Sequence, residues 1–139
     1  MNDKPVKAPI PQVTTPLRSH SIVSMPQEIY KASGISIFGK RIKSVIFTTD
    51  MAIIRNNNAD AVLAVYPFTP QQVISHAIIN ASYCPVFCGV GGGITGGART
   101  VFLAKDAEAQ GAMGVVVNAP TDDEVIRGMK EVLDIPIIV

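Results

Sequence analysis

The chain has no tryptophan, only two cysteines, and few aromatic residues, five Phe and three Tyr in 139 positions. Charge is also sparse, at 17% of residues with a formal net of +1. Such a balance argues against a disordered polyelectrolyte, and the composition lacks the glycine period of collagen and the charged heptads of a coiled coil. No stretch approaches the roughly 20 apolar residues that cross a bilayer, and the N-terminus has no apolar core followed by a cleavage site. A soluble protein that stays where it is made is therefore expected. Cys84 and Cys88 lie four apart in an expected strand, about 13 Å from one another at about 3.3 Å per residue. That spacing is beyond disulfide reach, which points to the reducing cytoplasm.

What the chain does have is a hydrophobic content of 47%, enough for one globular domain with a core. The near-neutral total conceals two unlike segments. Residues 1–44 hold seven basic side chains against Asp3 and Glu28, and the remainder is net acidic. Pro5, Pro9, Pro11, Pro16 and Pro26 fall within the first 26 residues. Proline removes a backbone donor and biases its predecessor toward extended geometry. Residues 1–42 therefore read as a basic, Pro-rich arm and residues 43–139 as the folded domain. The arm suits an acidic surface or a phosphate, or is simply a solvated tail.

Beyond the arm, short runs rich in Val, Ile and Ala alternate with helical patterns. The expected strands are Ser44 to Thr49, Ala61 to Phe68, Pro85 to Val90, Gly114 to Asn118 and Ile135 to Val139, nearly continuous in apolar character as in a sheet covered on both faces. Between them, a short helix is expected over Met51 to Arg55. Thr69 and Pro70 are read as N-cap and first position of a helix over Gln71 to Ala81, and Thr121 with Glu124 as a capping box. Val125, Met129 and Val132 recur on one helical face. This β-α-β-α-β-α-β-α-β order implies parallel strands with right-handed crossovers. Two architectures fit: the N-terminal half of a (β/α)8 TIM barrel, or a five-stranded doubly wound flavodoxin-like sheet. The terminal apolar strand, with no helix after it, favours the half-barrel.

The most informative stretch is Cys-Pro-Val-Phe-Cys-Gly-Val-Gly-Gly-Gly-Ile-Thr-Gly-Gly, residues 84–97. Glycines after a strand admit close backbone approach to an anion, and the start of the next helix supplies free amides and the positive end of a dipole. Gly91, Gly92, Gly93, Gly96 and Gly97 are thus a candidate phosphate cradle, with Arg99 just beyond to add a charged fork. An unliganded flexible turn is the plain alternative. The same glycines satisfy G-x-G-x-x-G, but a dinucleotide fingerprint should follow the first strand and be answered by an acidic residue at the next strand's end. Here the next strand ends in Asn118 and Ala119, which disfavours it.

Pro85 to Ile94, followed by Ala107, Gly111, Ala112 and the strand ending Val115 to Asn118, resembles the phosphate-binding barrels of histidine and tryptophan biosynthesis, above all the imidazole glycerol phosphate synthase cyclase family. The chain is also similar to a group of bacterial barrel proteins labelled hydrolases. The resemblance spans residues 84–119 and implies that Gly91, Gly92 and Gly93 lie at a barrel's catalytic mouth, with Asn118 beside them. The loop from Thr95 to Val101 is longer than that family's. The first strand, Val45 to Thr49, does not end in the pattern that supplies that family's catalytic aspartate, although Asp50 lies one position beyond the strand.

Four residues complete the candidate site. Asp50 is either an acid or base at a strand end or the N-cap of the helix that follows. Cys88 is either a nucleophile near the Gly-rich loop or a small core residue. Tyr66 and Asn118 either position a ligand or serve the sheet edge and a turn. Cys84, Cys88, His20 and His76 show no metal-ligand spacing, so neither metal nor cofactor is expected. Nucleic acid is disfavoured by the acidic domain and its scarce aromatics. The expected partner is a small phosphorylated ligand, together with a second copy or a complementing half of the barrel. The expected activity is that of an isomerase, lyase or hydrolase, with a non-catalytic phosphometabolite sensor as the alternative.

Overall fold

The computed structural model describes residues 3–12 and 22–139. Residues 1, 2 and 13–21, among them Pro16, Arg18 and His20 of the basic arm, lie outside the described residues. Residues 3–12 have no regular structure and are exposed throughout.

Within the segment grouped on sequence with the arm, a 3-10 turn at Gln27–Lys31 precedes a hairpin of β1 (Ile35–Ile37) and β2 (Lys40–Ile42). Its two turn residues, Phe38 and Gly39, both have positive φ, the requirement of a tight primed turn. The remaining elements are β3 (Val45–Phe47), α1 (Met51–Arg55), β4 (Ala61–Ala64), α2 (Gln72–Ala81), β5 (Val86–Gly92), α3 (Gly97–Gln110), β6 (Gly114–Asn118), α4 (Asp123–Val132) and β7 (Ile137–Ile138). The protein is thus an α/β protein in which strands and helices alternate.

Strands β3 to β7 form one parallel sheet in the order β3-β4-β5-β6-β7. Each new strand adds on the same side of the last, so right-handed crossovers place all the helices on one face. The packing agrees. Ile54 of α1, Ile78 of α2, Leu103 and Ala104 of α3 and Met129 of α4 share one buried cluster with Val62, Ala64, Val86, Cys88, Val90, Val115 and Val117. A fully buried side chain of this size stabilises the fold by about 1.5–3 kcal/mol, so this helix-side cluster dominates the core.

The opposite face is covered differently. Ala61, Phe87 and Val116 pack there against Ile42, with Ile37 and Leu63 beside them, so the hairpin plugs the face near the strands' N-terminal ends. Gly114 makes room for this packing: a Cβ there would lie 2.6 Å from the Phe87 ring. At the two edge strands, β3 and β7, the face is open. Val45 and Phe47 of β3, in register with Ala61 and Leu63, are 43% and 66% exposed, and Ile138 of β7 is 37% exposed. The strands' near-continuous apolar character predicts cover on both faces; only one face is fully covered by the described residues.

Element boundaries differ from the sequence expectation in instructive ways. Residues 51–55 and 114–118 form their elements at the expected limits. Strand β4 stops at Ala64 rather than Phe68, where Pro67 has no amide for the ladder. Thr69 and Pro70 do not open α2. Its N-cap is Gln71, whose amide donates to the Tyr66 hydroxyl at 2.9 Å. Nor does Thr121 cap α4, which begins after Asp122; the Thr121 hydroxyl donates to the Asn118 carbonyl instead. Cys84 precedes β5 rather than sharing a strand with Cys88, and both thiols are free.

Candidate functional site

The C-terminal ends of β4, β5 and β6 meet at one cavity of about 270 Å3. It is lined by residues 65–68 and Pro70 of the loop after β4, by Gly89 and residues 91–95 of β5 and its turn, and by Asn118 and Ala119 after β6. In an open parallel α/β sheet, ligands bind at this end of the strands.

The glycine run is shaped by a β-bulge. Gly89 pairs with Val116 and Gly91 with Val117, so Val90 is the extra residue. Val90 joins the helix-side core, and the bulge turns Gly91 to that side as well. A Cβ on Gly91 would fall on the Thr100 hydroxyl of α3, with the Thr100 methyl 2.7 Å away. Gly92 has φ +108, and a Cβ there would land on the Asn118 backbone. Both glycines are thus demanded by close approach within the protein, and together they seat the turn against Asn118.

The turn's amides are partly occupied. Gly92 N–H donates to Thr95 O at 2.8 Å, Thr95 N–H to Gly92 O at 3.2 Å, and Gly93 N–H to Pro120 O at 3.0 Å. The amides of Ile94, Gly96, Gly97 and Ala98 donate to none of the described residues. Gly96 is the N-cap of α3 and offers no capping side chain, so the first-turn donors of this 14-residue helix stay open. Of the five glycines of the expected cradle, Gly96 and Gly97 thus keep open amides, whereas those of Gly92 and Gly93 are taken.

Of the sequence candidates, Gly91, Gly92, Gly93, Tyr66 and Asn118 line the cavity together. The Asn118 side chain is exposed and bonds to none of the described residues. Tyr66 has its oxygen engaged by the Gln71 amide, which fixes the ring in the cavity wall. Arg99 is elsewhere: it lines a groove between α2 and α3 with Val73 and Phe102. Asp50 caps α1, its Oδ1 accepting from Ala52 N–H at 2.8 Å and Ile53 N–H at 3.2 Å, and is not in the cavity wall. Cys88 is fully buried on the helix side of β5. Burial pushes its thiol up to about 11, against the Ser75 hydrogen bond and with a small push from Asp106. Cys88 is thus part of the core, where burial disfavours the thiolate that a nucleophile needs.

Sequence reasoning passed over Phe68, Pro70, Ile94 and Thr95, all in the wall. Phe68 was assigned to a strand, and only the proline one residue earlier signalled that the chain leaves the sheet there. Among the side chains that line the cavity none is charged.

Fold and site together define an α/β protein with a parallel sheet and a neutral cavity at the strands' C-terminal ends. No family model matches the chain, and no curated protein matches it. No helix among the described residues is long and apolar enough to cross a membrane.

Proposed function

We propose that this chain is the N-terminal half of a phosphate-binding TIM barrel whose mouth takes a small phosphorylated metabolite for isomerisation, lyase chemistry or hydrolysis. The sequential strand order supports a barrel segment over a doubly wound sheet, which reverses its order at a switch point. The apolar second face, open at Phe47 and Ile138, is what a barrel interior needs before the remaining strands, or a second copy, cover it.

The observation that carries the binding reading is the uncapped start of α3 beside the cavity, with the Ile94, Gly96, Gly97 and Ala98 amides open. Backbone donors and the helix dipole suffice to hold a phosphate without a cationic side chain. The neutral wall favours a second reading, a phosphometabolite-binding regulatory domain that performs no chemistry. Under the enzyme reading, Asp50, which follows β3 and stands outside the cavity wall, is the acid or base from the neighbouring strand end, and only its Oδ2 is left by the cap.

Gly96→Asp tests the phosphate site. Gly96 has an ordinary extended backbone and open space at its Cβ, so the variant folds. An Asp at an N-cap accepts from the first-turn amides and puts negative charge where phosphate would sit. Expected is loss of inorganic phosphate binding in calorimetry with an unchanged or raised Tm. Phosphate binding equal to that of the parent chain would overturn the proposal.

A further inference from the structure

A cavity wall without charge limits what can accompany the phosphate. The wall's polar side chains are Tyr66, Asn118 and Thr95. Thr95 is 5% exposed, and the Tyr66 oxygen already accepts from Gln71. That leaves two side-chain groups in the wall to serve an occupant, the Asn118 amide and the Tyr66 O–H, which has accepted but not donated. A polyhydroxylated sugar would bring several hydroxyls into this space, and each hydroxyl buried without a partner costs affinity.

The rim is the reverse. Phe68 and Ile94 are 74% and 95% exposed, among the most exposed large apolar residues of the α/β unit, and both line this one cavity. They come from different loops, Phe68 after β4 and Ile94 after β5, with Pro67 and Pro70 completing the apolar side. Proline on either side of Phe68 restricts the backbone of its loop. Ligand sites combine such apolar walls with a few placed polar groups.

We infer that Phe68 and Ile94 are the specificity-determining residues of this site, and that they select phosphate monoesters of an uncharged, apolar-faced group, aryl phosphates being the simplest, over sugar phosphates. This rests on the phosphate reading for the anionic end only. The apolar group lies between Phe68 and Ile94, and Asn118 accepts or donates one hydrogen bond at its edge.

Calorimetric titration of the full chain with phenyl phosphate, glycerol 3-phosphate, inorganic phosphate and phenol tests it. Expected is tighter binding of phenyl phosphate than of glycerol 3-phosphate by about tenfold, from apolar burial and ring contact. In the double variant Phe68→Ser/Ile94→Ser, which keeps the amide of residue 94, that preference falls to near unity. Both side chains are exposed, so the variant keeps its fold, which its Tm checks. Equal or tighter binding of glycerol 3-phosphate, or a phenyl preference that survives the double variant, overturns the inference and leaves the phosphate site standing. If inorganic phosphate does not bind but phenol does, and the double variant loses phenol, the phosphate reading has failed and the apolar rim is upheld. If phenol and phenyl phosphate both fail to bind, the rim inference falls.

Discussion

Gly91→Ala probes the contact that seats the glycine turn against α3. The added Cβ would fall on Thr100 Oγ1, with Thr100 Cγ2 at 2.7 Å and Cβ at 3.0 Å. Thr100 is fully buried, and its hydroxyl donates to Thr95 O at 3.2 Å, so it has no room to swing aside. Gly91 is not among the positive-φ glycines, so the cost is steric, about 1–3 kcal/mol as for other overpacked sites. Thr100→Ala alone removes a buried methyl and one hydrogen bond. Thr95 O keeps its bond from Gly92 N–H, which holds that loss to about 1–2 kcal/mol. In the double variant the new methyl occupies the space that threonine vacates. Its destabilisation should fall short of the sum of the singles by about 1–2 kcal/mol, a coupling typical of residues in contact. Urea unfolding followed by far-UV circular dichroism measures all four proteins, with a constant m-value as the check. Additivity within about 0.5 kcal/mol would show that the bulge does not turn Gly91 toward α3, and the described shape of the cavity floor would be wrong.

The other predictions concern stability and reactivity. Glu108 Oε2 accepts from the Asp134 and Ile135 amides at 2.6 and 3.2 Å, tying α3 to the turn before β7. Burial pushes its carboxyl up, but those amides and Lys105 outweigh it and leave it below the ordinary value. Because the folded state holds the ionised form, its contribution is present above the unfolded value near about 4.3 and is lost as pH falls through the lower folded value. Glu108→Gln should cost about 1–3 kcal/mol at pH 7 and flatten the acid limb of stability measured by urea titration; an unchanged limb would contradict this. In thiol labelling at pH 8, half-buried Cys84 should react and buried Cys88 should not until denaturant is added; equal rates in the native state would refute the burial of Cys88. Ile42→Ala should destabilise by about 2–4 kcal/mol through a cavity against Phe87, while deletion of residues 3–10 should leave Tm unchanged. A Tm indifferent to Ile42→Ala would mean that the hairpin does not plug the sheet.

The alternation of strands and helices was legible because periodicity and apolar runs are local properties. Residues 51–55 and 114–118 follow directly from such runs bounded by Asp50, Asn56, Gly114 and Asn118. Helix starts were less legible because their partners are not adjacent in the chain. Thr69 and Thr121 have the chemistry of caps, yet the Tyr66 hydroxyl, five residues before Gln71, accepts the Gln71 amide, and the Thr121 hydroxyl is drawn back to the Asn118 carbonyl.

By itself, then, the sequence determined an α/β chain whose glycine-rich turn follows its third long apolar run, since composition and spacing carry that much. Tertiary structure decided which groups meet there. The bulge at Val90 presses Gly91 onto Thr100, the Thr95 and Pro120 carbonyls accept from the Gly92 and Gly93 amides, and packing leaves Cys88, Asp50 and Arg99 out of the cavity wall while bringing Phe68 and Ile94 to its rim. Apart from the local Gly92–Thr95 turn, these pairings are not encoded by a residue's near neighbours, because they depend on strand register and on how helices and loops pack back onto the sheet.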